Sequence, residues 1–153
     1  MRSKKYDIIK VLLVEDSEAD IRLTKESLKD CKLTVDLEVV KDGVEAMEFL
    51  RKEGNYKGTF RPDIILLDLN LPKKDGKEVL KEVKMDKDLR RIPVVILTVS
   101  SDEADIIKTY NLHANCYITK PVDLEQFMTV VKSIENFWFA IVKLPPNGSS
   151  IKS

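Results

Sequence analysis

The sequence predicts a doubly wound α/β fold, with five parallel strands in the order 2-1-3-4-5 and helices on both faces. Three observations predict it. Apolar runs of strand length alternate with amphipathic stretches of helix length along most of the chain. Three of the runs, ending at Val14, Leu67 and Leu97, are continuous rather than alternating, as in parallel strands buried on both faces. Right-handed crossovers leave few ways to wind such a chain, and placing the continuous runs inside gives that order.

Lys10–Val14 reads as the first strand and runs into Glu15-Asp16. Ser17 is placed to cap the next helix, with Asp20 three residues on in a capping-box arrangement. This helix spans about Glu18 to Asp30 and turns Ile21, Leu23 and Leu28 inward. Thr34–Val40 alternates more, which suits a less central strand. Asp42-Gly43 opens a second helix with Ala46, Met47 and Leu50 on one face and Gly54 placed to end it. Asn55–Pro62 is a polar loop containing Tyr56 and Phe60, long for its position.

Asp63–Leu67 is the third strand, and Asp68 stands at its carboxyl end. Asp75-Gly76 starts a third helix that runs to about Met85, with Val79, Leu80 and Val83 facing the sheet. Pro93–Leu97 is the fourth strand and ends in Thr98; a short fourth helix is expected over Asp102–Tyr110. Cys116–Ile118 makes a short fifth strand that leads into Thr119-Lys120-Pro121. Asp123 caps a last helix reaching about Val142, before Pro145-Pro146. One domain over 1–144 with a frayed tail over 145–153 is the expected organisation.

Composition narrows the function. Lysine plus arginine equals aspartate plus glutamate at 26 each, so no surface is biased toward nucleic acid or an acidic membrane. Cys31, Cys116 and His113 share no metal-site spacing, and no disulfide framework is indicated. Neither a signal peptide nor a membrane span is evident, and a cytoplasmic setting is expected.

In the predicted order, Glu15-Asp16 and Asp68 face each other at the switch point between the first and third strands, where such sheets bind ligands. Three converging carboxylates repel each other and call for a cation. Hard oxygen donors without cysteine or histidine suit magnesium. Asp16 and Asp68 are candidate direct ligands, Glu15 acts directly or through water, and a backbone carbonyl near Asn70 completes the set. Lys120 and Thr98, at neighbouring strand ends, offer an ammonium and a hydroxyl to phosphoryl oxygens. Singly, each has a plainer reading: a strand-ending aspartate, helix-start acidity, a surface lysine, a strand terminus. Together they describe a site for magnesium and a phosphoryl group on a carboxylate.

Over Val11–Lys132 the chain resembles the receiver domain of two-component response regulators. The resemblance rests on VEDS (Val14–Ser17), LLDLNLPKKDG (Leu66–Gly76), ILT (Ile96–Thr98) and YITKP (Tyr117–Pro121). It implies the flavodoxin-like form of the fold, with Asp68 as phosphoacceptor and Glu15, Asp16, Asp68 and the Asn70 carbonyl around Mg2+. It further implies Lys120 as the phosphate partner, Thr98 as the switch hydroxyl, Tyr117 as the switch aromatic and a cis Lys120-Pro121 bond. The expected role is a stand-alone regulator that takes phosphate from a sensor histidine kinase and signals through its fourth helix, fifth strand and fifth helix to another protein. It would be no conventional enzyme. NYKGTFRPD and NFWFAIVKLPPN are similar to single-domain regulators that partner phytochrome-type kinases. Val99 departs from the smaller residue usual after the threonine and bears on the phosphoryl lifetime, as do Ser100 and Asn70.

The last helix carries two apolar rows. Leu124, Phe127, Met128, Val131 and Trp138 serve the core, while Val130, Ile134, Phe137, Ile141 and Leu144 repeat like a heptad seam and predict a homodimer. Two rivals stand beside the regulator reading. A phosphatase of the haloacid dehalogenase-like class would need a second aspartate where Asn70 stands. A receiver-like binding module that never takes phosphate would not need the full set of acidic residues, Thr98 and Lys120.

Overall fold

The continuous apolar runs form the centre of one sheet in the computed structural model, which describes residues 8–31, 33–99 and 116–143, the side chains of 135–143 aside. Five parallel strands, β1 (Ile8–Val14), β2 (Thr34–Val40), β3 (Ile64–Asp68), β4 (Val94–Thr98) and β5 (Cys116–Thr119), lie in the order β2-β1-β3-β4-β5. The predicted order is therefore the observed one. Helices α1 (Glu18–Leu28), α2 (Gly43–Leu50), α3 (Gly76–Met85) and a C-terminal helix (Leu124–Lys143) cover the two faces. The expected helix over 102–110, Ser100, His113 and residues 144–153 lie outside the described residues.

Alternation along the strands divides the core in two. Leu12, Ile65, Leu67 and Ile96 face α2 and α3, meeting Met47, Phe49, Val79 and Leu80. Val11, Leu13, Ile64 and Leu66 face the other way, onto Ile21 of α1 and Phe127 and Val131 of the C-terminal helix. Each such side chain removed from water contributes about 1.5–3 kcal/mol before entropy is counted. Among the described residues no helix is long and apolar enough to cross a membrane.

Several local expectations are corrected. Leu23 is 49% exposed, and Thr24 takes the inward place instead. Thr24 can do so because its hydroxyl donates to the Asp20 carbonyl at 2.9 Å, which leaves no unsatisfied polar atom. Gly54 does not end α2. Lys52, at φ 56°, takes the left-handed position. The Lys52 and Glu53 amides then donate to the carbonyls of Phe49 and Glu48, a Schellman closure. Tyr56 and Phe60, in the segment expected as a loop, pack their rings on Phe49 with centroids 5.3 and 5.6 Å away. Val130, placed in the partner seam by its spacing, is buried in the core, and Ile134 packs partly against it.

Candidate functional site

Parallel strands all end at the same edge of the sheet, so the register decides which end residues meet. Val14 pairs with Leu67, Asp68 with Leu97, and Thr98 with Thr119. Glu15, Asp68, Thr98 and Lys120 are thus delivered to one crevice by four adjacent strands. Asp75 caps α3 through a complete capping box with Glu78 and so closes the loop that follows Asp68. Gly76 lets α3 start against the backbone of Asp68 and Leu69 and donates its amide to the Leu69 carbonyl at 2.9 Å.

Asp68 is 5% exposed. Its Oδ1 accepts the Asn70 amide at 3.0 Å and its Oδ2 accepts Lys120 Nζ at 2.9 Å. Lys120 Nζ also lies 2.8 Å from Glu15 Oε1 and donates to Asp20 Oδ2 at 3.1 Å. The Glu15 contact is an ion pair outside hydrogen-bonding geometry, so buried Oε1 has no hydrogen-bond partner. Glu15 Oε2 accepts the Ser17 amide at 3.1 Å. The Lys120-Pro121 bond is cis, as the resemblance implied.

Burial raises the Glu15 carboxyl to about 7, against the opposing pull of Lys120 and the Ser17 amide, and the Asp68 carboxylate adds to the rise. Burial by itself would lower Lys120, but the carboxylates of Glu15 and Asp68 more than offset it and hold the ammonium above the ordinary lysine range. Lys120 is therefore a fixed positive charge across the physiological range.

Glu15, Asp16 and Asp68 each present a carboxylate oxygen, and the three oxygens lie within 4.8 Å of one another. This donor set fits a hard divalent cation, and Glu15 Oε1 is a buried oxygen with coordination capacity to spare. Thr98 is buried at the end of β4, one residue beyond the partner of Asp68. Tyr117 is 42% exposed and Val99 is 65% exposed. The structure thus brings Glu15, Asp16 and Asp68 together and sets Lys120 against Glu15 and Asp68. It sets Thr98 beside them and leaves Tyr117 on the outer face.

One contact escaped sequence reasoning. Asp20 is not the reciprocal half of a capping box, because its carboxylate turns to Lys120. Its place in the first turn of α1, on the site edge of the sheet, was the available signal.

A parallel α/β sheet with an acidic cation cradle and a partly buried lysine at its carboxyl edge defines a receiver-type signalling module. Residues 11–132 match the model of the response regulator receiver domain, and the chain belongs to that family. It is 53% identical over 135 residues to the response regulator Rcp1 of Synechocystis, covering 88% of this chain and 92% of that protein. The crystal structure of the Mn(2+)-bound form of Rcp1 superposes with a TM-score of 0.68 at 52% identity, covering 85% of this chain and 94% of that one. The structure of the phosphorylated cyanobacterial phytochrome response regulator RcpA gives a TM-score of 0.69 at 54% identity, over 87% and 95% of the two chains.

Proposed function

We propose that Asp68 accepts a phosphoryl group from the phosphohistidine of a sensor histidine kinase of the phytochrome type, with Mg2+ as the cation. The observation that carries this reading is the buried Asp68 carboxylate, hydrogen-bonded to Lys120 and sharing its oxygens' neighbourhood with Glu15 and Asp16. The relative whose name includes phytochrome, and the manganese-bound one, support the choice of kinase and of a divalent ion.

An Asp68 oxygen bonds to phosphorus while the phosphorus–nitrogen bond of phosphohistidine breaks, and the electron pair stays on the imidazole, which takes up a proton. Magnesium held by Glu15, Asp16, Asp68 and the Asn70 carbonyl would neutralise charge on the transferring oxygens. Lys120 meets one phosphoryl oxygen, and Thr98 supplies a hydroxyl to another. Water attack on phosphorus later releases inorganic phosphate and restores the carboxylate, so the protein is a self-resetting carrier rather than a conventional enzyme. Val99, next after Thr98, and Asn70, whose amide binds Asp68, tune that lifetime.

Shifting a two-state equilibrium from 1:99 to 99:1 takes about 5.5 kcal/mol. A hydrogen bond to a charged group is worth about 1.5–3 kcal/mol, and because Lys120 already binds Asp68 and Asp20, only the gain over those contacts counts toward the shift. Tyr117 turns inward in response and alters the face around β5 and the C-terminal helix, through which a downstream protein reads the state. This helix also provides the seam for a homodimer, through the row of Ile134, Phe137, Ile141 and Leu144 that the sequence spaces with the buried Val130. The setting is the cytoplasm.

Asp68→Asn should abolish labelling by acetyl phosphate in Mg2+, and a variant that still takes label would overturn the acceptor assignment. Light scattering with and without beryllofluoride tests the dimer, which a persistent monomer at high concentration would refute.

A further inference from the structure

The carboxylate of Asp20 has been diverted from the helix cap that its position suits. Ser17 Oγ accepts the Asp20 amide at 3.2 Å, yet the Ser17 amide goes to Glu15, so the reciprocal bond of a capping box is not made. Asp20 Oδ2 instead reaches Lys120, 100 residues away in the chain, and binds it opposite Asp68. Lys120 is thus held between α1 and β3 by two hydrogen bonds, with Glu15 as a third negative neighbour.

The three carboxylates differ in what else they can do. Glu15 and Asp68 belong to the oxygen cluster that fits a cation, and Asp20 does not. Asp20 also has the most exposed side chain of the three, at 35% against 1% for Glu15 and 7% for Asp68. An ammonium has three protons and nothing else to offer. Two of those protons go to Asp20 and Asp68, so the bond to Asp20 leaves one for an oxygen arriving at Asp68, and the Asp20 charge repels that oxygen as well.

We propose that Asp20 is a competing acceptor for Lys120, a positioning residue that draws the ammonium toward α1 and so sets how readily the site takes an anionic group. This rests on the reading of Asp68 as phosphoacceptor. The probe is beryllofluoride, titrated into the full chain with magnesium and followed by calorimetry. Asp20→Asn should tighten binding about tenfold, the effect of freeing one charge-assisted hydrogen bond in part. In a Lys120→Met background the same change should give a clearly smaller gain, because the two residues act through one contact.

An unchanged or weaker affinity for Asp20→Asn, or an equal gain with and without Lys120, overturns the proposal. Where Lys120→Met binds too weakly to measure, a crystal structure of Asp20→Asn decides. Nζ shifted toward Asp68 supports the role, and Nζ left in its original place refutes it. Asp68→Asn separates the two ideas, since binding retained there would sink the acceptor reading rather than the role of Asp20.

Discussion

A Cβ on Gly76 would lie 2.3 Å from the carbonyl oxygen of Asp68 and 2.5 Å from the Cα of Leu69. Both atoms are backbone and cannot swing aside as a side chain can. The first residue of α3 is therefore a gauge for the position of Asp68 at the end of β3.

Gly76→Ala should destabilise the fold by about 1–3 kcal/mol, the usual range for overpacking. It should also slow labelling of Asp68 by acetyl phosphate by about tenfold or more, because sub-ångström displacement of a reacting group is costly. Urea denaturation and a labelling time course read the two effects separately. Gly58 is the control: nothing lies within 4 Å of an added Cβ there, so Gly58→Ala should leave both measurements near wild type.

Tyr56 gives a stability difference that depends on pH. Its hydroxyl donates to the Glu45 carboxylate, whose other oxygen accepts the Lys41 amide at 3.0 Å. Burial and this acceptor push the phenol up to about 12. A tyrosine in the unfolded chain titrates near 10. The folded state therefore binds the proton more tightly, and the contribution is whole below pH 10 and lost as pH rises through 12. Tyr56→Phe should cost about 1 kcal/mol at pH 8, the net worth of one hydrogen bond. The gap between variant and wild type should close above pH 12. Urea midpoints across that range test it, and a gap independent of pH would show that the phenol does not couple to folding.

The strands and the site carboxylates were legible because of the sheet's geometry. Parallel strands buried on both faces leave unbroken apolar runs in the sequence, and all their carboxyl ends fall at one edge. Knowing where Val14, Leu67 and Leu97 end was enough to bring Glu15, Asp68 and Thr98 together. Other features had no such signature. Lys52 in the left-handed region is invisible to a rule that looks for glycine, and Gly54 two residues on attracted the assignment. Thr24 looked polar and Leu23 apolar, but the helix phase is set by Ile21 and Leu28, and Thr24 could be buried once its hydroxyl found the Asp20 carbonyl. Asp20 itself carries two compatible readings, cap or ion pair, and only the fold brings Lys120 to it.

The C-terminal helix is where the two apolar rows divide differently from their spacing. Phe127 and Val131 enter the core as expected, but Val130 enters it too, at 7% exposure. Met128 lies at the margin, its sulfur 3.4 Å from the Cys31 thiol of the segment after α1. The first turns of this helix are thus an integral wall of the domain. Phe127→Ala should lower stability by about 3–5 kcal/mol, as expected for a phenyl ring removed from a closed core. The midpoint of urea unfolding should fall while its slope stays the same. The shift should not depend on protein concentration, because the lost contacts lie within one chain. A difference between variant and wild type that changes with protein concentration would mean that Phe127 docks on a second copy rather than on its own sheet.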